Sequence, residues 1–409
     1  MAVVELDLNL TDEQKAMRDL VRKFGAEVAR PAAIKLDKLA DPQKVIAEDS
    51  VLWDVFRTYR QLGLHRRGYP EELGGLGNMD ALTGCLIGEE MGYWASDLAI
   101  SLGAAGNPFR VASLSPHPKV RDLARQYLED TEAKLIGCWA ITEPDHGSDW
   151  VLAVAGGSRQ PECAPQVSAV KKGDRYILNG QKSAWVSNGT IATHAGLHVC
   201  LDRSQGMGGG GLAVVPLDLP GISKGKPLNK LGQRALNQGE IFFDNVELPE
   251  EYMVVPNPQV HTMMMPGVLT GANTGMGVTF AGLARAAFDE ALAYAKERVQ
   301  GGKPIIEHQN IQLKLFKMFT MVEAARSFSR RVSAYNAVTM PGSAAHAVAS
   351  KVLSTETAFM VASEAIQIFG GYGLSKDYHI EKIFRDAKTA MIEDGENSAL
   401  SLAAAASLV

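Results

Sequence analysis

Hydrophobic residues recur at the period of an α-helix over residues 1–136. The first of these helices begins with a capping-box pattern, in which Thr11 is followed three positions later by Gln14, and Pro31 is expected to close it. Its apolar face comprises Met17, Leu20, Val21, Phe24 and Val28. This spacing predicts an N-terminal α-helical domain over residues 1–136.

Between residues 137 and 255 the pattern changes to short runs of β-forming residues separated by Gly, Asn, Asp and Pro. No G-x-G-x-x-G motif follows a strand and opens a helix, which argues against a βαβ nucleotide-binding fold. The glycine-rich segment from Gly206 to Gly211 precedes no helix start and is interpreted as a flexible surface loop. We therefore predict a small β domain. Its strands are expected at residues 135–142, 166–170, 175–178, 195–201, 212–216 and 240–246.

The helical period returns near residue 262 and continues to the C-terminus. Three apolar stripes follow one another, and a fourth helical segment spans residues 378–390. This succession of helices favours an antiparallel four-helix bundle over residues 256–409. The chain is thus predicted to be a multidomain α+β protein. The stripes comprise Ala284, Ala287, Phe288, Ala291, Leu292 and Ala295, then Ile311, Leu315, Met318, Phe319 and Val322, then Val348, Val352, Phe359 and Ile366.

Length and composition narrow the class of protein. At 409 residues the chain is longer than one ordinary hydrophobic core can accommodate, so two or three domains are expected. Its 46% hydrophobic and 21% charged residues are usual for a globular protein. A net charge of −5 does not indicate the basic surface that nucleic-acid binding requires. The four cysteines lack metal-ligand spacing, and no secretory signal or apolar run of spanning length is visible. These features predict a cytoplasmic protein with reduced thiols, no metal site and no membrane span.

A stretch near the C-terminus, residues 367–397, has the pattern of a ligand site. Gly370 and Gly371 follow an apolar helical run, and glycine is common there because it takes positive φ without Cβ strain. A bare backbone also lets a bulky ligand approach closely. Further along, Asp394 precedes Gly395. A carboxylate on a turn is a candidate catalytic base, although most Asp-Gly pairs are ordinary turns.

Two segments of the β region carry further candidate chemistry. The segment from Trp139 to Asp149 combines Pro144 and Gly147 with hydroxyl-bearing residues. This composition is typical of a tight loop whose polar groups suit a ring edge or a phosphate. The segment from Asn179 to Gly189 contains Trp185, whose aromatic face offers area for stacking. A core tryptophan in a β-hairpin is the alternative interpretation.

Together with residues 298–309, these segments resemble the motifs of the acyl-CoA dehydrogenase family, and the order of helical, β and helical regions resembles its fold over nearly the whole chain. The resemblance implies an N-terminal helical domain, a central small β-barrel-like domain and a C-terminal antiparallel four-helix bundle. It implies flavin adenine dinucleotide (FAD) as cofactor and oxidation of an acyl-CoA thioester to the 2-enoyl-CoA or a conjugated dienoyl-CoA. Electrons would pass on to an electron-transferring flavoprotein.

The resemblance also assigns roles to single residues. Asp394 occupies the position of the family's glutamate base and is shorter by one methylene; it would take the α-proton while a hydride passes to flavin N5. Its backbone amide would help to hold the thioester oxygen. Ser148 would contact both flavin and substrate, and Asn273 and Gly395 would border the substrate. The residues implied in cofactor binding are Trp139, Ile141, Thr142, Ser148, Trp185, Ser187, Arg298, Gln309, Gln367, Gly370, Gly371 and Glu396.

The segment that contains Arg298 and Gln309 reaches a neighbouring subunit's FAD in the family, and Gln367 approaches it from the same side. A guanidinium matches a pyrophosphate bidentately. A lone arginine at a helix end would otherwise be explained by the helix macrodipole. The resemblance therefore implies a homotetramer built as a dimer of dimers.

Several positions depart from the family pattern. A family aromatic residue is Gly301 here, an arginine near the acyl pocket is Asn273, and the residue before it, Ala272, is not ionisable. Trp150 stands where small residues are usual. Asp97 lies on the helix that passes the acyl pocket, and we interpret it either as a local cap or solvated acid, or as a second catalytic carboxylate. These departures favour a branched, alicyclic or otherwise atypical acyl group.

Two other functional interpretations are compatible with the sequence. The flavin could be reoxidised by oxygen, as in acyl-CoA oxidases, and oxygen consumption would reveal this. The chain could also be a non-catalytic, flavin-binding paralogue. The altered turn at residues 393–396 favours that interpretation, whereas Arg298, Gln367 and Trp185 argue against loss of the flavin.

Overall fold

The computed structural model describes residues 4–77, 79–154 and 159–408, and the side chains of residues 152–154 lie outside this description. Its N-terminal region is helical, as predicted. The capping box is confirmed: Thr11 Oγ1 accepts from the Gln14 N–H, and the Gln14 side chain accepts from the Thr11 N–H. The helices are α1 (Asp12–Phe24), α2 (Arg30–Asp37), α3 (Val51–Gln61), α4 (Ala81–Ala105), α5 (Asn107–Ser113) and α6 (Pro118–Glu129).

The prediction that Pro31 closes the first helix is wrong. A π-helical turn, Gly25–Ala29, follows α1 directly and leads into α2, where Pro31 lies in the first turn. The Arg30 N–H donates to the Gly25 carbonyl five residues back, and this wider turn accommodates a residue that has no N–H to donate. The chain therefore stays helical through Asp37.

Helix α4 connects the N-terminal region with the C-terminal helices, because it packs against α8 (Pro258–Glu297). The two helices come close at Gly92, where an added Cβ would lie 1.8 Å from the Thr279 carbonyl oxygen. The helical backbone of α4 is interrupted at Ala95, which has φ −163° and ψ 88°. This interruption precedes Asp97 by two residues and redirects the side chains that follow.

The central region forms a seven-stranded sheet within the described residues. The spatial order is β1-β4-β2-β3-β7-β6, and β5 pairs with β4. Strand β1 runs parallel to β4, whereas β5 and β7 run antiparallel to their neighbours β4 and β3. The predicted α+β architecture is confirmed, and β6 is the strand that the pattern missed. The strands are β1 (Gly137–Ala140), β2 (Ser168–Lys172), β3 (Arg175–Lys182), β4 (His194–Cys200), β5 (Gly210–Pro216), β6 (Ile222–Lys224) and β7 (Ile241–Pro249).

The glycine-rich segment from Gly206 to Gly211 is not the predicted surface loop. It contains the end of a 3₁₀-helical turn and the first residues of β5, and most of it is buried. Glycine is required by close neighbours: a Cβ on Gly209 would lie 1.8 Å from the Asp202 carbonyl oxygen, and one on Gly210 would lie 2.6 Å from the His261 ring. A run of glycines therefore marks close packing here.

The C-terminal region is a helical bundle of α8, α9 (Gln309–Val338), α10 (Ala344–Phe369) and α11 (Ile380–Ala390), followed by α12 (Asn397–Ala406). The apolar faces of α8 to α11 form one core, which confirms the predicted four-helix bundle. A short hairpin of β8 (Val299–Gln300) and β9 (Lys303–Pro304) joins α8 to α9. The domain boundary expected between residues 255 and 256 falls in the connection from β7 to α8.

None of the helices in the described part of the chain has the length and apolar character needed to cross a membrane. The four cysteines, Cys85, Cys138, Cys163 and Cys200, are free thiols.

Candidate active site

A tight turn between α11 and α12 carries Asp394. Asp394 has φ +51° and Gly395 has φ +100°, values that side-chain-bearing residues rarely adopt. A Cβ added at Gly395 would lie 2.9 Å from Val151 Cγ2, so glycine is required for both the backbone conformation and the close approach. Asp394 keeps a solvent-accessible surface, although the protein packed around the turn desolvates its carboxyl group. The Asp394 carboxylate thus projects from a turn with an unfavourable backbone conformation, which contacts from other segments must stabilise.

The turn touches a loop of the β domain. The Glu396 N–H donates to Ser148 Oγ at 2.9 Å. Ser148 precedes α7 (Asp149–Val154), whose Val151 lies against Gly395. The structure therefore brings together two segments that the sequence singled out separately, although 248 positions separate them along the chain.

Lys351 on α10 is a member of the site that the sequence analysis missed. Its side chain is 0% exposed, and its Nζ donates to the Gly395 carbonyl at 2.8 Å and to Asn397 Oδ1 at 2.7 Å. The Asn397 amide in turn donates to Thr355 Oγ1 at 3.1 Å. One feature of the sequence could have indicated Lys351. It is the one Lys, Arg, Asp or Glu between residues 344 and 355, and it lies on an apolar helix face. Unpaired, a lysine in that position would be costly to bury.

Burial and neighbouring charges move the pKa of several groups at the turn toward neutrality. Desolvation by the surrounding protein raises the pKa of Asp394, and the Lys351 ammonium opposes this only in part. Burial and the charge of Asp394 raise the pKa of Glu393 to about 7. Burial lowers the pKa of Lys351 to about 8, although the nearby carboxylates oppose that shift. A carboxylate whose pKa is raised is suited to accept a proton near neutral pH.

Trp139 lies on β1 and is held by a buried pair of histidines. Its Nε1–H donates to His198 Nε2 at 2.8 Å, and His198 Nδ1 lies 3.0 Å from His261 Nε2. Burial lowers the pKa of His198 well below its usual value. His198 is therefore neutral, and because its Nε2 accepts, its proton is assigned to Nδ1. Trp150, which stands where the family has small residues, packs edge-on against His198 with ring centroids 6.0 Å apart. It therefore contacts the imidazole that accepts from Trp139.

Ile141 and Thr142 follow β1 and are tied to β3. Lys182 Nζ donates to the Ile141 carbonyl at 3.1 Å, and the Ser183 N–H donates to the Thr142 carbonyl at 2.9 Å. Lys182 is fully buried and pairs with Glu143 at 2.7 Å. These bonds join the two β-domain segments that the sequence singled out.

Trp185 and Ser187 lie just beyond β3. The Trp185 side chain is 57% exposed, which excludes the alternative of a core tryptophan. Gln238 Nε2 donates to the Trp185 carbonyl at 3.2 Å and lies 3.4 Å from Ser187 Oγ. An open indole face beside a hydroxyl group suits a planar ring with a polar edge.

A cleft of about 760 Å³ gathers four of the predicted cofactor residues, Arg298, Gln367, Gly370 and Gly371. The Arg298 guanidinium lies 5.4 Å from the centroid of the Tyr372 ring. Apart from the glycine itself and the adjoining backbone, no described heavy atom lies within 4 Å of a Cβ added at either glycine. The backbone is therefore open to a ligand on this side, next to a cation and an aromatic ring.

Gln309 and Gly301 lie beside the same cleft. Gln309 is the first residue of α9, between His308 and Asn310, which line the cleft. A Cβ at Gly301 would lie 3.2 Å from the His308 ring. The imidazole therefore fills space next to the position where the family has an aromatic side chain.

Two predicted site residues have structural partners of their own. Glu396 is the N-cap of α12, and its carboxylate accepts from the Ser398 N–H at 2.9 Å and the Ala399 N–H at 3.1 Å. This cap explains the carboxylate without a cofactor, and its contact with flavin stays a prediction. Asn273 is buried in α8 and donates to the Leu269 carbonyl at 2.9 Å. Its Oδ1 lacks a hydrogen-bond partner among the described residues, which leaves an acceptor that a ligand donor would satisfy.

Asp97 is not a solvated acid, because its side chain is 0% exposed. It accepts from Lys382 Nζ at 2.8 Å, from the Ala235 N–H at 3.3 Å and from the Leu98 N–H at 2.9 Å. Burial alone would raise the pKa of Asp97, but the Lys382 charge and these hydrogen bonds outweigh it and lower the pKa. That part of the first interpretation is wrong. A catalytic role for Asp97 stays a prediction, and its oxygens already have partners.

Polar contacts connect Asp97 with the turn. Lys382 also pairs with Asp386, which accepts from the Gln233 N–H, and Gln233 Nε2 donates to Glu393 at 2.6 Å. Gln233 lies in the connection from β6 to β7 and has φ +49°. No local sequence pattern marks Gln233, because its contact with Glu393 spans 160 positions.

Protein-family models match three parts of the chain. The model of the acyl-CoA dehydrogenase N-terminal domain matches residues 11–111, that of the middle domain matches residues 138–246, and that of the C-terminal domain matches residues 263–408. The matches fall on the N-terminal helices, the sheet and the bundle, respectively.

Individual proteins are similar over almost the whole chain. The chain is 30% identical over 403 residues to cyclohex-1-ene-1-carbonyl-CoA dehydrogenase from Syntrophus aciditrophicus, which covers 98% of this chain and 91% of that protein. It is 29% identical to the short-chain specific acyl-CoA dehydrogenase of Clostridium acetobutylicum, over 97% of this chain and 98% of that protein. Among solved structures, butyryl-CoA dehydrogenase from Megasphaera elsdenii is similar with a TM-score of 0.84 and 28% identity, over 98% of this chain and 100% of that one.

Proposed function

Because the chain belongs to the acyl-CoA dehydrogenase family, we propose that it oxidises an acyl-CoA thioester to the 2-enoyl-CoA, with FAD as its cofactor. One observation carries the proposal: the Glu396 N–H donates to Ser148 Oγ at 2.9 Å. This bond places the loop proposed to border the flavin next to the turn that carries Asp394. A dehydrogenation requires this proximity, because a proton and a hydride leave adjacent carbons of one acyl chain.

The residues present fit a flavin dinucleotide. The exposed indole of Trp185, with Ser187 beside it, offers a flat apolar face and a polar edge for a ring system. The cleft at Gly370 and Gly371 leaves the backbone open, and Arg298 provides a guanidinium suited to a pyrophosphate. When bound, FAD would supply the acceptor for the β-hydride at its N5 atom.

Asp394 is the proposed base. Its carboxylate takes the α-proton of the acyl chain, the electron pair of that C–H bond forms the Cα=Cβ double bond, and the β-hydrogen departs with its own electron pair. The raised pKa of Asp394 matches this task, because a stronger base removes a weakly acidic proton more readily. Ser148 Oγ accepts from Glu396, so its hydroxyl hydrogen is left to donate toward the flavin edge or the thioester.

Two features of the chain support an alicyclic or otherwise atypical acyl group. Aspartate reaches less far than glutamate by roughly one C–C bond, about 1.5 Å, so the α-carbon must approach the turn more closely. The buried Asn273 replaces a cation and offers an acceptor in its place. The Syntrophus relative is named for a cyclohexene acyl group. We propose that this chain acts on a ring of that kind, and that its product is a conjugated dienoyl-CoA when the ring is already unsaturated.

The cleft at Arg298 supports a site shared between subunits. Trp185 and Ser187 belong to the β domain, whereas Arg298, Gln367 and Gly370 belong to the bundle. We propose that the second group binds the dinucleotide of a partner chain in a homotetramer, and that the electrons pass to an electron-transferring flavoprotein.

Anaerobic titration of the FAD-loaded protein tests the proposal. Butyryl-CoA, isobutyryl-CoA, cyclohexanecarbonyl-CoA and cyclohex-1-ene-1-carbonyl-CoA are added in turn while the flavin absorbance is followed. We expect bleaching by at least one ester, most rapidly by a cyclic one. A protein that retains FAD but is bleached by none of them would contradict the dehydrogenase, and oxygen consumption during turnover would point to an oxidase instead.

A further inference from the structure

We propose that Lys351 is the positioning residue for Asp394: its ammonium group holds the backbone of the turn and keeps the neighbouring carboxylate ionised, ready to accept a proton. The inference rests on the proposed function, because it assigns the partner of the proposed base. It concerns a side chain on α10 that no motif of the sequence marks.

The contacts of Lys351 support a clamp on the turn. Its Nζ donates to the Gly395 carbonyl at 2.8 Å and to Asn397 Oδ1 at 2.7 Å, one residue and three residues after Asp394. Asp394 and Gly395 both have positive φ, a conformation that persists only where the surroundings hold it. Ser148 holds the same segment through the Glu396 N–H. Of these two clamps, Lys351 is the one that brings a charge.

Among the described residues, the charges that act most strongly on Lys351 are negative. Glu393, Asp394 and Glu396 face it from the turn, and Glu356 faces it from its own helix. Asn397 completes its surroundings as a neutral acceptor. Lys351 acts on both Asp394 and Glu393, and Lys230, in the connection between β6 and β7, acts on Glu393 as well. Lys351 is therefore the cation that Glu393 and Asp394 share, and Lys230 adds a second positive charge near Glu393.

The charge of Lys351 matters because a protonated carboxyl cannot act as a base. Desolvation raises the pKa of Asp394 and favours the protonated form. An opposite charge a few ångströms away favours the ionised form and typically lowers the pKa of a carboxyl by about 1 to 3 pH units. Lys351 therefore keeps Asp394 ionised at lower pH than its surroundings alone would allow. Burial lowers the pKa of Lys351 itself to about 8, so this effect ends above that pH.

Two substitutions separate the charge from the clamp. Lys351→Gln removes the charge and retains a donor for the Gly395 carbonyl, whereas Lys351→Met removes both. Lys351→Arg keeps the charge. The rate of flavin reduction by butyryl-CoA and by cyclohex-1-ene-1-carbonyl-CoA is measured anaerobically between about pH 5 and pH 9. For both neutral variants we expect the ascending limb of the pH profile to move to higher pH by about one unit. Only Lys351→Met should also lose about tenfold or more of the rate at the plateau, because the turn is then no longer held.

A matched control is Arg60→Met. Arg60 is also a buried cation paired with a carboxylate, Asp130, but it lies on α3 among the N-terminal helices. Its loss tests what destabilisation alone does, and we expect the ascending limb to stay in place. Lys351→Arg should likewise leave the limb near its wild-type position.

A second readout does not depend on turnover. The carboxyl stretch of protonated Asp394 is followed by infrared difference spectroscopy against Asp394→Asn as pH is lowered. We expect the band to appear at higher pH in Lys351→Gln than in the wild type. Coincident infrared titrations and coincident pH limbs in the two proteins would overturn the role of Lys351. Failure of every ester to reduce the wild-type flavin would instead contradict the proposed function, and the infrared titration would still decide what Lys351 does.

Discussion

Asp394 and Asp97 are the two aspartates that the sequence marked as candidate acids, and the structure places them in opposite surroundings. Asp394 sits on a turn with positive φ and is accessible to solvent, although surrounding protein desolvates its carboxyl group. Asp97 follows an interrupted stretch of α4, is 0% exposed, and accepts from Lys382 and two backbone N–H groups. Of the two, only Asp394 has carboxylate oxygens that a substrate could reach.

The difference shows two ways in which a buried lysine can act on a nearby aspartate. Lys382 lies directly against Asp97 and lowers its pKa despite burial, which keeps a structural charge fixed. Lys351 binds the backbone beside Asp394 rather than its carboxylate, and the pKa of Asp394 remains raised. The ion pair with Lys382 occupies the Asp97 carboxylate. Lys351 instead acts on Asp394 through its charge alone, which leaves the Asp394 carboxylate free to accept a proton.

Among the substitutions considered, the one at Asp394 should lower the rate of flavin reduction most. Asp394→Asn should lower the rate of flavin reduction by about 1,000-fold, because general-base catalysis typically contributes about 10² to 10⁴. The fold should persist, since asparagine tolerates positive φ. Stopped-flow reduction with the best ester measures the rate. A rate within about tenfold of the wild type would move the base elsewhere.

Asp97→Asn should act mainly on stability. Removing one partner of a buried ion pair typically costs about 3 to 5 kcal/mol, and we expect about 3 kcal/mol here because Asp386 still pairs with Lys382. Urea unfolding measures the change in free energy, with Asp394→Asn as the matched control of the same chemistry. If Asp97→Asn abolished reduction by cyclic esters and left stability intact, Asp97 would be a second catalytic carboxylate after all.

Gly395→Ala tests whether the turn must be held. The added Cβ would lie 2.9 Å from Val151 at a position with φ +100°, so the turn must shift. A misplacement of about 1 Å can cost about 100-fold in rate, and we expect a loss of that order. Gly84→Ala on α4 is the control, because the position is exposed and open. An equal loss of rate in both variants would contradict a specific dependence of the rate on the position of the turn.

The smallest expected effect concerns Glu393. Its pKa is raised from 4.5 to about 7 in the folded chain, so the protonated form favours folding. Its contribution to stability is complete below about pH 4.5 and is lost as pH rises through about 7. Wild-type stability should therefore fall by up to about 2 kcal/mol more than that of Glu393→Gln between about pH 5 and pH 8. Thermal unfolding at the two pH values measures this, and equal slopes would place Glu393 outside the desolvated surroundings.

Much of the architecture follows from local pattern. The capping box at Thr11, the apolar stripes of the bundle helices and the alternation of the strands each specify an element by the residues within it. The errors arose where neighbours remote in sequence decide. Pro31 lies inside a helix because a π-helical turn precedes it, and the glycines from Gly206 to Gly211 are packed rather than mobile.

The candidate site divides in the same way. The candidate segments could be found from the sequence alone, because motifs such as residues 139–149 and 367–397 are contiguous runs of residue types suited to ligand binding and proton transfer. How those segments meet, which carboxylate a substrate can reach and which cation lies near it depend on the folded structure. Ser148 meets Glu396, and Lys351 meets Gly395, through single hydrogen bonds between remote positions. Burial and charge depend on everything that surrounds a side chain in the fold, and no local pattern records those surroundings.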